Sequence, residues 1–200
     1  MGASSEDLLH VAPGFCARSH SWLASRRIAH IVDAARVCAT NVDGVARLDA
    51  AVDDRPHALI SAHFDAAADF CRQAWADDAP VLFTCVMGRS RSATLAAAVL
   101  MRERSPGRMA ALECVRERRP AARPNSGFLE QLRLYETELE RQRSSRARRL
   151  LAQLSGLLLR GEARSLSVLP SDVFAASSDG ARVIEDGLLA HEEHIAINQT

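Results

Sequence analysis

The sequence predicts an α/β protein with a central, mostly parallel sheet of about five strands flanked by helices. Short β-branched or apolar runs alternate with longer segments of helical periodicity over residues 11–142. The run at residues 81–85 is almost wholly apolar and lies between turn signals, as expected for a central strand covered on both faces. A turn of Gly, Arg and Ser follows directly and leads into an Ala-rich run of strong helix formers.

The elements follow one another along the chain. Residues 11–15 form a turn-flanked apolar stretch, residues 28–32 are β-branched as in a buried strand, and residues 46–52 suggest a further strand. Residues 53–56 break the pattern and read as a loop. The helix candidates are residues 60–75, 93–102, 109–118 and 128–142. Pro120, Pro124 and Gly127 separate the last two of them.

The 200 residues suit one domain with additional sequence. We predict an N-terminal extension over residues 1–10, a folded domain over residues 11–142 and a C-terminal region over residues 143–200. The C-terminal region begins with an arginine-rich run, and residues 143–160 have a basic amphipathic pattern. This stretch either packs on its own domain as a helix or contacts a membrane surface or a partner helix. Residues 165–200 are serine-rich and acidic, which predicts a tail of low order.

The composition excludes several classes of function. With 48% hydrophobic residues the chain should be globular, and its formal net charge of zero gives no overall attraction to nucleic acid. All 25 basic residues are arginines, so no lysine acts as a catalytic amine. The five cysteines and seven histidines show neither a disulfide framework nor metal-ligand spacing, which predicts no metal and a reducing compartment, the cytoplasm or the nucleus. We expect no secretory signal, and no run approaches the roughly 20 apolar residues of a membrane span.

The segment from Cys85 to Ser92 carries the candidate chemistry. A cysteine at the end of a strand, facing the start of a helix, meets unpaired backbone N–H groups and the positive end of the helix dipole, and both lower its pKa. The planar guanidinium of Arg91 can bind two phosphate oxygens, and the Ser92 hydroxyl can donate to the sulfur as it leaves. The N–H groups that can surround the other oxygens belong to Val86, Met87, Gly88, Arg89, Ser90 and Arg91. The alternative for Cys85 is a buried structural thiol.

Phosphoryl transfer to a cysteine also needs an acid for the leaving oxygen, and two aspartates are candidates. Asp53 and Asp54 lie in the loop predicted before the helix at residues 60–75. An aspartate there could protonate the leaving oxygen of a Tyr, Ser or Thr phosphate and, once deprotonated, activate water against the phosphocysteine. Aspartates in such a position are also common turn formers.

Four segments of the chain together carry a family resemblance. In chain order they are the first strands at residues 11–14 and 28–32, then Val52-Asp-Asp54-Arg-Pro56 with the helix after it, then Cys85-Val-Met-Gly-Arg-Ser-Arg91-Ser92 with Val81-Leu82 before it, and last Arg119-Pro120 with Pro124-Asn125-Ser-Gly127-Phe128. They resemble the dual-specificity phosphatases, which belong to the cysteine-based protein tyrosine phosphatases. The resemblance spans about residues 11–140. The Cys-to-Arg spacing alone is a weak signal, whereas four segments in the right order are a strong one.

The resemblance implies a small, atypical dual-specificity phosphatase that hydrolyses phosphotyrosine and phosphoserine or phosphothreonine through a phosphocysteine intermediate. It places the general acid on Asp54, with Asp53 as the fallback, and implies that Asn125 braces the phosphate loop. It implies no cofactor, since the loop and Arg91 supply the positive charge. The expected partner is a phosphorylated protein, while phosphoinositides, RNA 5′-phosphates and phosphoglycans stay open as substrates.

The chain departs from the family's usual pattern directly before the nucleophile. The family usually has a histidine there, which orders the loop and supports the low thiol pKa, and this chain has Thr84. A threonine can still support the loop through a hydrogen bond. The alternative function is a catalytically weak or inactive pseudophosphatase that keeps the fold and binds phosphorylated partners.

Overall fold

A parallel sheet forms the centre of the protein. The computed structural model describes residues 8–38 and 44–159. Its strands are β1 (Leu9–Pro13), β2 (His30–Asp33), β3 (Ala46–Asp49) and β4 (Val81–Cys85), in the spatial order β1-β4-β2-β3. Every pairing between them is parallel. The predicted α/β class is confirmed, but the described residues form four strands where about five were predicted.

Seven helical segments accompany the described strands. They are α1 (Gly14–Ala17), α2 (His20–Ser25), a 3-10 turn (Ile60–His63) that leads into α3 (Phe64–Ala76), α4 (Arg91–Arg104), α5 (Arg108–Arg118) and α6 (Ser126–Leu159). The four predicted helices are all present. No helix was predicted for residues 14–25, although Ser19 is an ordinary N-cap whose hydroxyl accepts the N–H of Trp22 at 3.3 Å.

Two predicted boundaries are wrong for identifiable reasons. The strand expected at residues 46–52 ends at Asp49, whose carboxylate accepts the N–H of Ala51 at 3.1 Å. The N–H groups of Ala50 and Val52 still donate to the carbonyls of Asp33 and Ala34 at 2.9 and 3.3 Å, so the chain stays beside β2 without continuing as a regular strand. The helix expected to end at Gln142 continues as α6 to Leu159. Residues 143–155 contain no Gly or Pro and are mostly strong helix formers, so nothing local stops the helix. The predicted low-order tail at residues 165–200 lies outside the described residues.

Strand β4 is the centre of the sheet and fixes the position of Cys85. It pairs with β1 on one side and β2 on the other, and all five of its residues are buried. The register places Pro13 opposite Cys85 and Asp33 opposite Thr84. Because parallel strands end at the same edge of a sheet, the loop after Cys85 emerges beside the first turn of α1.

Helix α4 holds this loop from the other side. Its residues from Ser92 to Met101 are all buried, and most of them are small. Small side chains let the sheet, α3 and α5 approach the helix closely on every side, so its N-terminus has little freedom to move. The residues described up to Ser145 form one compact unit that contains the whole sheet. None of the described helices is both long and apolar enough to span a bilayer.

Candidate active site

The loop between β4 and α4, residues 85–92, is called the phosphate loop below. Its carbonyl groups are bonded to groups on its outside. The N–H of Gly14 donates to the Val86 carbonyl at 3.3 Å, and the N–H of Arg123 donates to the Arg89 carbonyl at 2.8 Å. The Ser90 carbonyl accepts from the Thr94 N–H at 2.9 Å and from its hydroxyl at 2.8 Å. Within one trans peptide unit the C=O and the N–H of the next residue point in opposite directions, so where the carbonyls of the loop point outward its amides face inward.

The guanidinium of Arg119 bonds two further carbonyls of the loop. Its Nη2 donates to the Met87 carbonyl at 3.2 Å, and its Nε donates to the Gly88 carbonyl at 3.1 Å. Sequence analysis missed this role, because the distance along the chain between Arg119 and the loop carries no sign of the contact. The planar fork of an arginine can bond two neighbouring carbonyls at once, which makes Arg119 an external brace for the loop.

Gly88 allows the loop to turn beside β1. Its φ is +62°, in the left-handed region that favours glycine. A Cβ at this position would lie 2.5 Å from the carbonyl carbon of Ala12 and 2.6 Å from the nitrogen of Pro13. Both are backbone atoms of a sheet strand and cannot move aside, so the position requires glycine for conformation and for space.

The thiol of Cys85 lies at the centre of the inward amides. Burial raises its pKa, but the hydrogen bond from the Ser92 hydroxyl and those from the N–H groups of Ser92, Arg89 and Gly88 more than offset burial, and the pKa lies below its ordinary value. The distance from Cys85 Sγ to Ser92 Oγ is 3.2 Å. At Cys71, burial raises the thiol pKa instead. The donors of the phosphate loop therefore distinguish Cys85 from a structural thiol.

Arg91 presents a buried, unused donor. Its side chain is 13% exposed, and its Nη1 donates to the carbonyl of Val52 at 3.0 Å. Its Nε is buried and has no hydrogen-bond partner; the nearest carboxylate oxygen, Oδ2 of Asp54, is 3.7 Å away. Because a buried donor gains free energy from an acceptor, this N–H is a candidate donor to an oxygen of a ligand bound at the loop.

Of the two candidate acids, Asp54 contacts the phosphate loop. Its Oδ1 accepts the hydroxyl of Ser90 at 2.6 Å and the Nδ2 of Asn125 at 3.0 Å. Its Oδ2 faces Arg91. Among the described residues no such hydrogen bond is found for Asp53, which is exposed. The structure thus brings the carboxylate of Asp54 to the phosphate loop and leaves its Oδ2 facing Arg91.

Asn125 connects α6 to both loops of the site. It precedes the first residue of α6, and its Oδ1 accepts the N–H of Phe128 at 3.0 Å as an N-cap. Its Nδ2 donates to Asp54, and its backbone N–H donates to the Ser90 hydroxyl at 3.3 Å. A Cβ on Gly127 would overlap the carbonyl of Pro56, so the loop that carries Asp54 packs directly on the first turn of α6.

Thr84 supports a neighbouring strand and not the interior of the loop. It is fully buried, and its hydroxyl donates to the carbonyl of Ala12 at 3.0 Å. This bond joins the end of β4 to β1 just where the phosphate loop begins. No cluster of three or more potential ligands that could hold a metal occurs in the part of the chain that is described.

The arrangement can bind and attack a tetrahedral oxyanion. Inward amides and the free N–H of Arg91 surround a space next to a thiol of low pKa, and a carboxylate stands at the entrance. A nucleophile, an anion cradle and an acid within one pocket are the parts that a phosphoryl-transfer site requires.

Known proteins are similar to this chain in sequence and in fold. The profile of the family described as "Dual specificity phosphatase, catalytic domain" matches residues 15–138. Dual specificity protein phosphatase 1B of Arabidopsis thaliana is 34% identical over 125 residues, which is 62% of this chain and 75% of that protein. The crystal structure of human DUSP28 superposes with a TM-score of 0.63 at 31% identity, covering 68% of this chain and 96% of that one. A mouse dual specificity phosphatase complexed with zinc tungstate gives a TM-score of 0.65 at 32% identity, covering 68% and 86%.

Proposed function

Since the chain belongs to the dual-specificity phosphatase family, whose members act on phosphorylated tyrosine, serine and threonine, we propose that it hydrolyses phosphomonoesters through a phosphocysteine. Cys85 is the nucleophile, Arg91 and the loop amides hold the phosphoryl oxygens, and Asp54 is the general acid. The observation that carries the proposal is that the buried Nε of Arg91, which has no hydrogen-bond partner, belongs to the same loop as the thiol of Cys85, whose pKa is lowered.

In the first step the thiolate of Cys85 attacks phosphorus and forms the S–P bond. The bond from phosphorus to the substrate oxygen breaks on the opposite side, and that oxygen takes the proton of Asp54. Arg91 and the inward amides bind the three remaining oxygens, where negative charge is concentrated in the transition state. Ser90 and Asn125 hold one oxygen of Asp54, so the other is left to carry the proton.

In the second step water attacks phosphorus and the S–P bond breaks. Asp54, now a carboxylate, accepts a proton from the water, and the thiolate of Cys85 leaves. The hydroxyl of Ser92, 3.2 Å from the sulfur, donates to the thiolate as its charge returns. Inorganic phosphate is released, and Asp54 is again protonated for the next substrate.

Two independent features support an oxyanion ligand. The amides of the loop and the guanidinium of Arg91 present several hydrogen-bond donors, as a dianion requires, and the carboxylate that faces Arg91, that of Asp54, is the proposed acid. A related mouse protein has been crystallised with tungstate, which is a tetrahedral oxyanion like phosphate. The loop would bind only the phosphoryl group, so its residues do not distinguish one phosphomonoester from another.

The test is hydrolysis of aryl phosphates in the presence of a chelator. We expect turnover by the wild type and none by Cys85→Ser, with Cys114→Ser, a cysteine outside the site, as the matched control. Asp54→Asn should slow a poor leaving group by roughly a hundredfold or more and a good one much less, because only the poor one needs the proton. Asp53→Asn is the control for Asp54 and should have little effect.

A pseudophosphatase is the second candidate, and Thr84 favours it. Its hydroxyl is used on Ala12, so it gives the loop no donor of the kind a histidine supplies. A folded wild type that binds a phosphopeptide yet is as inert as Cys85→Ser would exclude the enzyme. In that case Thr84→His should restore some turnover if this position is the cause.

A further inference from the structure

Helix α6 continues past the end of the compact unit that contains the sheet. That unit ends at Ser145, and the helix runs on to Leu159. Within the unit α6 buries a stripe of apolar side chains, which ends at Leu139. From residue 146 to residue 155, by contrast, no side chain is buried. The catalytic steps use only the start of α6, so this later part of the helix has a surface with no role in the proposed chemistry.

The later part of α6 has arginines but no acidic residue. Residues 143–159 contain neither Asp nor Glu. Earlier in the helix an arginine pairs with a glutamate one turn before it, as Arg141 does with Glu138 at 2.7 Å. Arg148 is exposed, and the residues three and four positions from it on either side are Ser, Leu and Ala. A guanidinium stays charged at any physiological pH, so a carboxylate that pairs with Arg148 comes from outside this helix.

Arg148, Leu151 and Leu154 form a ridge along one side of α6, called the distal ridge below. Residues three apart are neighbours on the surface of a helix, and rows of this kind are what a helix packs against another segment. Leu151 is 38% exposed, and Leu154 is partly exposed. The distal ridge therefore presents one positive charge followed by two apolar side chains, and its occupant needs a carboxylate followed by apolar groups.

The acidic C-terminal part of the same chain contains such a segment. Residues 165–200 include six Asp and Glu and one Arg. Within them residues 183–193 read Val-Ile-Glu-Asp-Gly-Leu-Leu-Ala-His-Glu-Glu. Two acidic residues precede two leucines, and three positions separate Glu185 from Leu188 as they separate Arg148 from Leu151. A segment without a core of its own can become ordered on a surface that supplies apolar contacts.

The connection between the two segments is long enough. From Leu159 back to Arg148 the helix covers roughly 16 Å at 1.5 Å per residue. An extended chain spans up to about 3.3–3.6 Å per residue, so a few of the residues 160–182 suffice for the return. A tether of this kind gives the segment an effective concentration on the order of millimolar, whereas a separate partner must be supplied at its own concentration.

Two other occupants fit the distal ridge less well. A second copy of α6 brings the same arginines and no carboxylate over residues 143–159, so it offers Arg148 no opposite charge. An anionic lipid surface attracts the arginines, but it repels the six acidic residues that follow on the same chain. The segment at residues 183–193 offers both the carboxylates and the apolar side chains.

We propose that residues 183–193 bind the distal ridge of α6 in the same molecule. Glu185 and Asp186 supply carboxylates to Arg148, and Leu188 and Leu189 cover the two leucines of the ridge. This inference is independent of the proposed function, because neither segment contains a residue of the active site.

A zero-length cross-link tests the contact in the full chain. The sequence contains no lysine, so Arg148→Lys keeps the positive charge and introduces the only side-chain amine. A carbodiimide joins this amine to a carboxylate in direct contact, and peptide mass spectrometry identifies the partner. We expect cross-links to Glu185 or Asp186. Arg133→Lys is the matched control, because Glu130 lies 2.7 Å from Arg133 and should be its partner.

Isotope mixing separates the same molecule from a second copy. Chains that carry Arg148→Lys are prepared with 14N and with 15N, mixed and then cross-linked. Under the proposal both peptides of a cross-linked pair carry the same isotope. Pairs of mixed isotope in the proportion of random mixing would show that the distal ridge binds another copy, and the proposal would be wrong.

Hydrogen exchange measures how firmly the segment covers the helix. Glu185→Gln with Asp186→Asn should speed exchange of the amides in residues 146–159 by roughly two- to fivefold for each ion pair lost. High salt should have the same effect on the wild type, because exposed ion pairs are screened. Asp172→Asn with Asp179→Asn removes the same charge elsewhere in the C-terminal part. It is the matched control and should leave the exchange unchanged.

Three further results would overturn the proposal. Cross-links only to carboxylates outside residues 183–193 assign the ridge to another segment. Equal exchange in the two double variants shows that Glu185 and Asp186 do not hold the contact. Protection of residues 146–159 that appears only with vesicles of phosphatidylserine and phosphatidylcholine assigns the ridge to an anionic lipid surface. None of these readouts is phosphatase activity, so failure of the proposed function leaves them interpretable.

Discussion

Two serines of the phosphate loop should have separable functions. The Ser92 hydroxyl lies 3.2 Å from the sulfur of Cys85, whereas the Ser90 hydroxyl donates to Asp54 at 2.6 Å. Ser92→Ala therefore removes a donor from the thiolate, and Ser90→Ala removes a donor from the acid. Both changes delete one oxygen from a buried site in the same loop, so each variant is a control for the other.

The magnitude for Ser92 follows from the type of bond. A hydrogen bond to a charged group contributes about 1.5 to 3 kcal/mol, and the lower end applies because sulfur is a weak acceptor. About 1.4 kcal/mol is a factor of ten, so below the thiol pKa the thiolate fraction of Ser92→Ala should fall about tenfold. The backbone N–H groups of Ser92, Arg89 and Gly88 remain, which is why the fall is not larger.

The assay is the rate of alkylation of Cys85 by iodoacetamide against pH, read by mass spectrometry. Ser92→Ala should need a higher pH for the same rate and should also accumulate phosphocysteine, since the leaving thiolate has lost its donor. Ser90→Ala should alkylate like the wild type and lose activity mainly on poor leaving groups. If the two variants shift the alkylation profile equally, the hydrogen bond from Ser92 is not what lowers the pKa of Cys85.

Four further predictions concern the frame of the site and its thiol. Gly88→Ala should lower the free energy of unfolding and abolish activity, because the new Cβ meets the backbone of β1. Gly44→Ala is the control, since Gly44 has a φ of +76° but nothing lies within 4 Å of the new Cβ. Urea unfolding should show that Gly44→Ala lowers the free energy of unfolding by only the roughly 1–2 kcal/mol that the left-handed conformation costs. Arg119→Gln should lower kcat/KM for an aryl phosphate about tenfold, because the carbonyls of Met87 and Gly88 lose their donor. The control Arg116→Gln, which removes only an ion pair with the exposed Glu113, should change kcat/KM little. At neutral pH iodoacetamide should label Cys85 and spare Cys38, because burial and the nearby charge of Asp33 raise the pKa of Cys38 to about 12. Vanadate, a phosphate analogue, should protect Cys85 from this labelling. The pKa of Cys85 is lower in the folded protein than in the unfolded chain, so ionisation of the thiol stabilises the fold. Above the ordinary thiol pKa, the free energy of unfolding of the wild type should therefore gain a contribution that Cys85→Ser lacks. Chemical unfolding measured against pH should show this contribution disappearing as the pH falls through the pKa of folded Cys85.

The parts of the site that sequence could predict are those joined by a short segment. Cys85, the loop and the start of α4 are continuous in the chain, and the physics of a strand end facing a helix start applies to them directly. The sequence offered Asp53 and Asp54 equally as the acid, and the choice of Asp54 and the role of Asn125 came from resemblance to a family, because no local pattern joins Asp54 to Asn125. Their side chains meet across 71 residues, and Asp54 meets Ser90 across 36.

What the sequence could not predict is how the outside of the loop is satisfied. Arg119 belongs to a recognisable Arg-Pro segment, but its contact with the carbonyls of Met87 and Gly88 depends on where α5 ends in space.

The geometry of the acid depends on a helix that contributes no reacting atom. Asn125 caps α6 through its Oδ1, and the same side chain holds Asp54 through its Nδ2. Gln131, one turn further along α6, accepts the N–H of Ser61 at 2.9 Å and donates to the carbonyl of Ala58 at 2.8 Å, which fixes the far end of the acid loop. Fraying of the first turns of α6 would therefore release Asp54 from the phosphate loop while Cys85, held by β4 and α4, keeps its place. The nucleophile and the acid are thus set by different parts of the fold, and a change in α6 should affect the leaving-group dependence of hydrolysis before it affects the reactivity of the thiol.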